Sequence, residues 1–461
     1  MIQVTPELLA RHDQPGPRYT SYPTALEFSE TFDRDEYAGA LATAAGHPHR
    51  PLSLYLHLPF CEARCSFCAC HVVVTKNRNL SDVYLERVVE EAELVASRLG
   101  ARRRLVQYHW GGGTPTYYPP EVLAGLHQQL MERFELDPGA EVGIEVDPRV
   151  TTIEHLRLLD ELGFNRISLG VQDLDAGVQE HIGRHQTEEQ TVSLYQAARD
   201  LGFESINLDL IYGLPGQDEA TLGRTLDRVV ELRPDRLAVY SFAFVPWIRP
   251  HQKRMDPALL PDTDAKFSLL ASVVTRLTGV GYRQIGMDHF ALPDDDLARA
   301  AASGSLNRNF MGYTTKRDTE IVALGTSGIS DLSFAYAQNH RRLASYLQDV
   351  DDGLLPIERG YRLNRENRLR RHVITELMCN GSIDLDEAAA RFGWDDAGIF
   401  GNEIVELTRP GGLVDEGMAV VEGRTVHATE LGMLFVRRLA RVFDVHTARR
   451  DDDRPVFSRT V

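Results

Sequence analysis

The 461-residue chain predicts an α/β fold built on a parallel sheet, and three observations lead there. Between about residues 50 and 250 one unit recurs: a short β-rich apolar run, a loop, then an amphipathic helical stretch. The runs are apolar almost throughout, as strands are when a sheet is covered on both faces. Several helical stretches end in Gly or Pro, which stop helices. Spacing alone leaves a doubly wound sheet and a full or partial (β/α) barrel both open. In either, functional residues belong at the carboxyl ends of the strands.

Taken in order, residues 1–46 form an arm rich in Pro, Tyr and Thr ("PGPRYTSYPTALEF") with weak periodicity. Strands are expected at 53–60, 104–112, 141–148, 166–172, 206–215 and 236–246, within a core spanning 47–280. Between them, "SDVYLERVVEEAELVASRLG" (81–100) places Leu85, Val88, Val89, Ala92, Val95 and Leu99 on one helical face, with Ser81 as the expected N-cap. "PEVLAGLHQQLMERF", "TIEHLRLLDELG", "TVSLYQAARDLG" and "ATLGRTLDRVVELRP" repeat the pattern. Residues 281–360 carry less regular segments such as "NRNFMGYTTKRDTE". From 361 to 461 the character changes to helix, turn, helix and then a short hairpin leading into a final helix, a mostly helical, winged-helix-like arrangement. Its acidic residues argue for packing or substrate cover rather than DNA binding.

The formal charge of −17 opposes nucleic acid and anionic membranes as partners, and an anionic substrate would need its own recessed Arg or Lys cluster. No basic leader precedes a long apolar stretch, and no window reaches the roughly 18 uncharged apolar residues of a membrane span, so the chain is placed in the cytoplasm. It is taken as a monomer.

Four of the five cysteines fall in "CEARCSFCAC": Cys61, Cys65, Cys68 and Cys70, with Cys379 elsewhere. Such a cluster in a reducing compartment points to metal ligation rather than disulfides. A structural zinc site usually takes two separated pairs, and the second pair is missing. The other reading is a [4Fe–4S] cluster held by Cys61, Cys65 and Cys68, with one iron left open for chemistry. Cys70 then lies near the cluster without ligating it.

Cys-x3-Cys-x2-Cys with Phe67 before the third cysteine resembles the signature of the radical S-adenosylmethionine (SAM) enzymes. "YHWGGGTPT", at the end of the next strand, resembles that family's glycine-rich motif. More narrowly, "PRYTSYPTALEF", "SLYLHLPFCEARCSFCAC", "WGGGTPTYY", "EVDP", "LGVQD", "NLDLIYGLP", "GMDHFALPDD", "NRNFMGYTT" and "YAQN" are similar, in order and spacing, to the oxygen-independent coproporphyrinogen III oxidases of that family. This resemblance implies a partial (β/α)6 TIM-like barrel of the radical SAM type. It implies oxidative decarboxylation of two propionates of coproporphyrinogen III to vinyl groups, giving protoporphyrinogen IX in porphyrin and haem biosynthesis. It also implies an electron donor of unknown identity. Reductive cleavage of SAM would give a 5′-deoxyadenosyl radical that takes a hydrogen from the propionate carbon β to the carboxylate. Loss of carbon dioxide and one electron would leave the vinyl.

Glu145 in "GIEVDP" and Asp209 in "NLDLIYG" interrupt apolar strands, where an unpaired carboxylate is costly, so each needs a partner: a cofactor ribose or ammonium, or else a barrel Arg or backbone amide. The resemblance implies two SAM molecules. The first would be held by Tyr55, Gly112, Glu145, Ala243 and Ile329, the second by Phe67, Gly113, Thr114, Gln172, Arg184 and Asp209. Tyr55, Glu145 and His57 are the candidate catalytic residues, with a satisfied core histidine the alternative for His57. Arg18 and Arg308 are the candidate partners of substrate carboxylates, since Arg pairs with carboxylates through two parallel hydrogen bonds. Met311 stands where the family usually shows Gln. Two rival readings remain: a related radical SAM haem chaperone, which typically lacks the "PRYTSYPT" arm and Cys70, and a zinc-stabilised interaction protein.

Overall fold

A computed structural model describes residues 6–394 and 398–447. The first five residues of the expected arm, and 395–397 and 448–461 of the expected C-terminal region, lie outside the described residues. Strands β1 (Leu52–Leu58), β2 (Arg104–Gly112), β3 (Glu135–Val146), β4 (Arg166–Gln172), β5 (Ser205–Tyr212) and β6 (Arg236–Ser241) pair in that order, every pair parallel. Leu54, Leu56, Trp110, Ile144, Leu169, Leu208 and Val239 are all buried, the near-continuous apolar character that a doubly covered sheet requires. The parallel strand Glu320–Leu324 extends the sheet beyond β1, followed by the antiparallel strands Ile329–Asp331, Ala335–Asn339 and Ile357–Arg362. His289–Ala291 and Arg283–Ile285 extend it beyond β6. Among the described residues the two outermost strands do not pair, so the sheet curls as a partial barrel without closing.

Three of the crossover helices start where side-chain caps satisfy their free N–H groups: Thr152 before Ile153–Glu161, Thr187 before Glu188–Leu201, Asp218 before Glu219–Leu232. One expected cap is corrected. The first crossover helix runs Arg78–Leu99 and begins at Asn77, while Ser81 is buried inside it with its hydroxyl donating to the Arg78 carbonyl at 2.7 Å. Arg78, Asn79 and Leu80 are compatible with helix, and a serine bonded back to its own turn does not interrupt it. The arm is also more regular than its weak periodicity suggests. Asp33 caps a helix Arg34–Ala45 that buries Tyr37, Leu41 and Ala44 against the barrel core.

A second apolar core lies in the C-terminal region, where Leu369, Val373 and Leu377 of helix Arg365–Asn380 meet Leu385, Phe400, Leu407, Val436 and Leu439. Strands Ser382–Asp384, Thr425–Ala428 and Ala419–Glu422 make a three-stranded wing, and a helix absent from the sequence reading, Gly401–Thr408, lies between its first strand and its hairpin. Tyr19 and Tyr22 of the arm are buried in this same core, and the Tyr19 hydroxyl donates to Asp444 at 2.9 Å. The arm therefore straps the C-terminal region onto the barrel. No helix among the described residues is long and apolar enough to cross a membrane.

Candidate active site

The cysteine loop leaves β1 through a two-residue strand, Phe60–Cys61, which pairs with Val73–Val74 and closes the loop at its base. Three further bonds hold it: Ser66 N–H to the Ile182 carbonyl (2.9 Å), Arg64 to the Val72 carbonyl (2.7 Å) and His251 Nε2 to the Cys68 carbonyl (2.8 Å). Each thiol has its own setting. Cys61 lies 3.5 Å from the Thr114 hydroxyl, and burial pushes its thiol up to about 11. Cys65 is buried between two guanidiniums, Arg149 at 3.5 Å and Arg184 at 3.6 Å from its sulfur. Cys68 accepts a hydrogen bond from Cys70, which brings the Cys68 thiol down to about 6 and pushes that of Cys70 up. Cys70 thus touches a candidate ligand.

Among the described residues, no three His, Cys, Asp or Glu side chains are gathered as closely as one metal ion requires, where sulfurs sit at about 2.3 Å from a common centre. A cubane takes one thiolate at each of three iron corners and needs its sulfurs spread around it. The two guanidiniums and one hydroxyl aimed at these sulfurs suit a group carrying net negative charge. The donor set therefore fits the [4Fe–4S] reading.

The glycine triplet packs directly on this loop. Gly113 N–H bonds the Leu58 carbonyl at 2.8 Å and Thr114 N–H the Phe60 carbonyl at 3.0 Å, so the end of β2 is stitched to the root of the loop. A Cβ at Gly113 would lie 2.5 Å from the Pro59 carbonyl carbon. At Gly112, with φ +110, a Cβ would lie 2.6 Å from the His57 ring. Only glycine fits such approaches.

The strand-interior acids have partners. Glu145 accepts from Gly112 N–H at 3.3 Å and lies 3.6 Å from His109 Nε2, yet its side chain is 48% exposed, because it faces an internal cavity. Burial raises its pKa, but the His109 bond and charge outweigh that and leave it below the ordinary value. Asp209 accepts from Ser168 at 3.1 Å and Asn207 at 2.8 Å. Burial, reinforced by the charge of Glu145, pushes it up to about 7. The same strand-end position thus yields one charged and one titrating carboxyl.

Burial brings His57 down to about 4, so its ring is neutral. Its Nε2 donates to the His71 carbonyl at 2.9 Å, which leaves Nδ1 to accept from the Tyr55 hydroxyl at 3.1 Å. The satisfied-histidine alternative is the arrangement present, and it orients Tyr55, whose ring stacks on His109.

A cavity of about 530 Å³ brings many of the candidates together: Arg18, Tyr55, His57, Gly112, Glu145, Arg308 and Ile329 line it, with Cys70 at the edge of the cysteine loop and Phe310 and Met311 opposite. Asp209 lines a smaller adjoining cavity that shares Glu145 and Met311. Of the remaining candidates, Phe67 belongs to the loop, and Thr114 and Arg184 touch its cysteines. Thr114 is at Cys61, Arg184 is at Cys65, and Gln172 has φ +69 at an irregularity in the β4–β5 pairing. Phe67 packs near Ile182 and Phe242, and the Ala243 carbonyl accepts from Gln252 at 3.0 Å. Arg18 and Arg308 are not solvated surface residues: both meet the buried Asp288, Arg18 in direct contact and Arg308 at 3.9 Å.

Several residues of the site escaped the sequence reading. Asp147, inside the "EVDP" motif, and Arg149, directly after it, form an ion pair at 2.6 Å that also engages Arg184, fixing both guanidiniums on Cys65. Burial would raise Asp288, but Arg18, His289 and Arg308 hold it well below the usual carboxylate range. The only available signals were the Asp-x-Arg spacing and a lone acid in "GMDHF".

The Radical SAM superfamily profile matches residues 55–229. The oxygen-independent coproporphyrinogen III oxidase of Pseudomonas aeruginosa is 42% identical over 459 residues, covering 99% of this chain and 98% of that protein. Its namesake from Escherichia coli K12 is 42% identical over 455 residues, covering 98% of each. A solved structure described as coproporphyrinogen III oxidase from Escherichia coli, a radical SAM enzyme, superposes with a TM-score of 0.89 over 93% of this chain and 97% of that one.

Proposed function

The chain belongs to the oxygen-independent coproporphyrinogen III oxidases of the Radical SAM superfamily, and from that premise we propose that it converts two propionates of coproporphyrinogen III to vinyl groups, giving protoporphyrinogen IX. The observation that carries this reading is the shared cavity, where the edge of the cysteine loop, Gly112, Glu145 and Tyr55 face Arg18 and Arg308. When bound, a [4Fe–4S] cluster and SAM supply the one-electron cleavage that makes a carbon radical.

The protein's own residues do the rest. Cys61, Cys65 and Cys68 hold the cluster, and Arg149 and Arg184 balance negative charge at Cys65. Tyr55, Gly112, Glu145, Ala243 and Ile329 hold the first SAM. Glu145, a carboxylate at neutral pH, accepts from an ammonium or hydroxyl. Phe67, Gly113, Thr114, Gln172, Arg184 and Asp209 hold a second. His57, with both ring nitrogens engaged, orients Tyr55 rather than moving a proton. Arg18 and Arg308 meet substrate carboxylates, while Phe310, Met311 and Ile329 keep one side of the cavity apolar, which limits water and stray hydrogen donors. The enzyme takes its electrons from a separate donor and works in the cytoplasm as a monomer.

Anaerobic incubation of reconstituted protein with coproporphyrinogen III, SAM and a reductant tests this. A divinyl product with two carbon dioxide molecules released per substrate is expected. Stoichiometric haem binding with no vinyl product would overturn it.

A further inference from the structure

Behind the hairpin formed by Asn307–Asn309 and Gly312–Thr314 lies a second cavity, of about 390 Å³, that the reading above does not use. Six arginines line it, against three carboxylates, in a protein of net charge −17. Three of the six are matched: Arg317 with Glu376, Arg371 with Asp331, and Arg391 with Asp318 at 3.1 Å. Arg50 shares Glu320 with the buried Arg102. Among the described residues Arg368 has no carboxylate partner; it stacks on Phe334 at 5.0 Å, and its buried Nε lacks an acceptor. Arg308, with a side chain only 4% exposed, has, among the described residues, Nε and Nη1 without acceptors and no carboxylate closer than Asp288, at 3.9 Å. Burying guanidinium groups unmatched is costly, so the cavity is organised for anions that come from outside.

The main cavity holds fewer cations. Two arginines line it, Arg18 in direct contact with Asp288 and Arg308 shared with the arginine cavity, alongside the carboxylate of Glu145, which leaves little to meet four carboxylates. Arg308 lines both cavities and so joins them. Resting on the substrate assigned above, we propose that the arginine cavity is a carboxylate site that holds propionates of the tetrapyrrole away from the reacting one, with Arg368 and Arg308 as their partners.

The test uses coproporphyrin III, the oxidised tetracarboxylate, as a fluorescent probe titrated onto the reconstituted full-length protein, with its tetramethyl ester as the uncharged control. Arg368→Gln is expected to weaken coproporphyrin III binding roughly tenfold, as loss of one charge-assisted pair would, to raise the KM of turnover similarly, and to leave ester binding unmoved. Asp318→Asn, at an exposed acid of the cavity, is expected to tighten coproporphyrin III binding, a gain that misfolding does not mimic. Unchanged binding in both variants, an equal loss for the ester, or displacement of the probe by inorganic phosphate at comparable concentration would overturn the proposal. Failure of the wild-type protein to make vinyl product is a separate outcome: it strikes the assigned reaction, whereas the binding titration reports on the carboxylate site alone.

Discussion

The strand ends beneath the cysteine loop and the arginine cavity behind the hairpin are built by opposite means. At the strand ends, position is set by backbone bonds and by glycines that allow approaches no side chain tolerates, as at Gly113 against Pro59. Behind the hairpin, what gathers is charge, with six guanidiniums sharing three carboxylates. Radical chemistry needs atoms placed to a fraction of an ångström, whereas holding a flexible propionate needs only a cation within reach. Substitutions in the first region should therefore act almost all-or-none, and those in the second by degrees.

The largest effect is expected from joint replacement of Cys61, Cys65 and Cys68 by Ala: iron–sulfur absorption and vinyl formation are both lost, while far-UV circular dichroism stays native. Gly113→Ala comes next. Its Cβ would meet main-chain atoms of Pro59 and Phe60, so the loop root must shift, and a misplacement of that order costs about 100-fold in turnover, measured with cluster content held equal. A mild, graded loss would show that the strand ends are as forgiving as the arginine cavity.

A smaller effect concerns Asp209, whose folded pKa of about 7 exceeds the ordinary 3.8. Between these values the folded chain keeps a proton that the unfolded chain releases, so the stability of the cofactor-free protein falls as pH rises across that window and levels off above it. Asp209→Asn removes that contribution. Urea midpoints at pH 5 and 8 should differ less in the variant than in the wild type, and an equal difference would refute the assignment. The smallest effect is a control: Gly125 lies in helix Pro120–Met131 with open space where a Cβ would go, so Gly125→Ala should add about 0.5–1 kcal/mol by thermal denaturation and leave turnover unchanged.

Much of this was legible in the sequence, for identifiable reasons. β2 and β4 fall at the expected residues because apolar strands bounded by loops are local patterns. The cysteine loop, the glycine triplet, Glu145 and Asp209 stood out because each breaks the composition around it. What was not legible is long-range. Arg18 meets Asp288 across 270 positions, and nothing near either residue announces the other. The arm helix and the true start of helix Arg78–Leu99 were missed because Asp33 and Asn77 are ordinary loop residues until the chain has folded around them. Met311 borders both the main cavity and the one lined by Asp209, a placement that only the folded chain reveals.

The central claim is that this chain delivers an adenosyl carbon radical to the propionate carbon β to the carboxylate. Turnover with coproporphyrinogen III deuterated at that carbon, followed by mass spectrometry of the 5′-deoxyadenosine formed, tests it most directly. The account predicts one deuterium in the recovered nucleoside together with vinyl product. Vinyl product accompanied by unlabelled 5′-deoxyadenosine would contradict it.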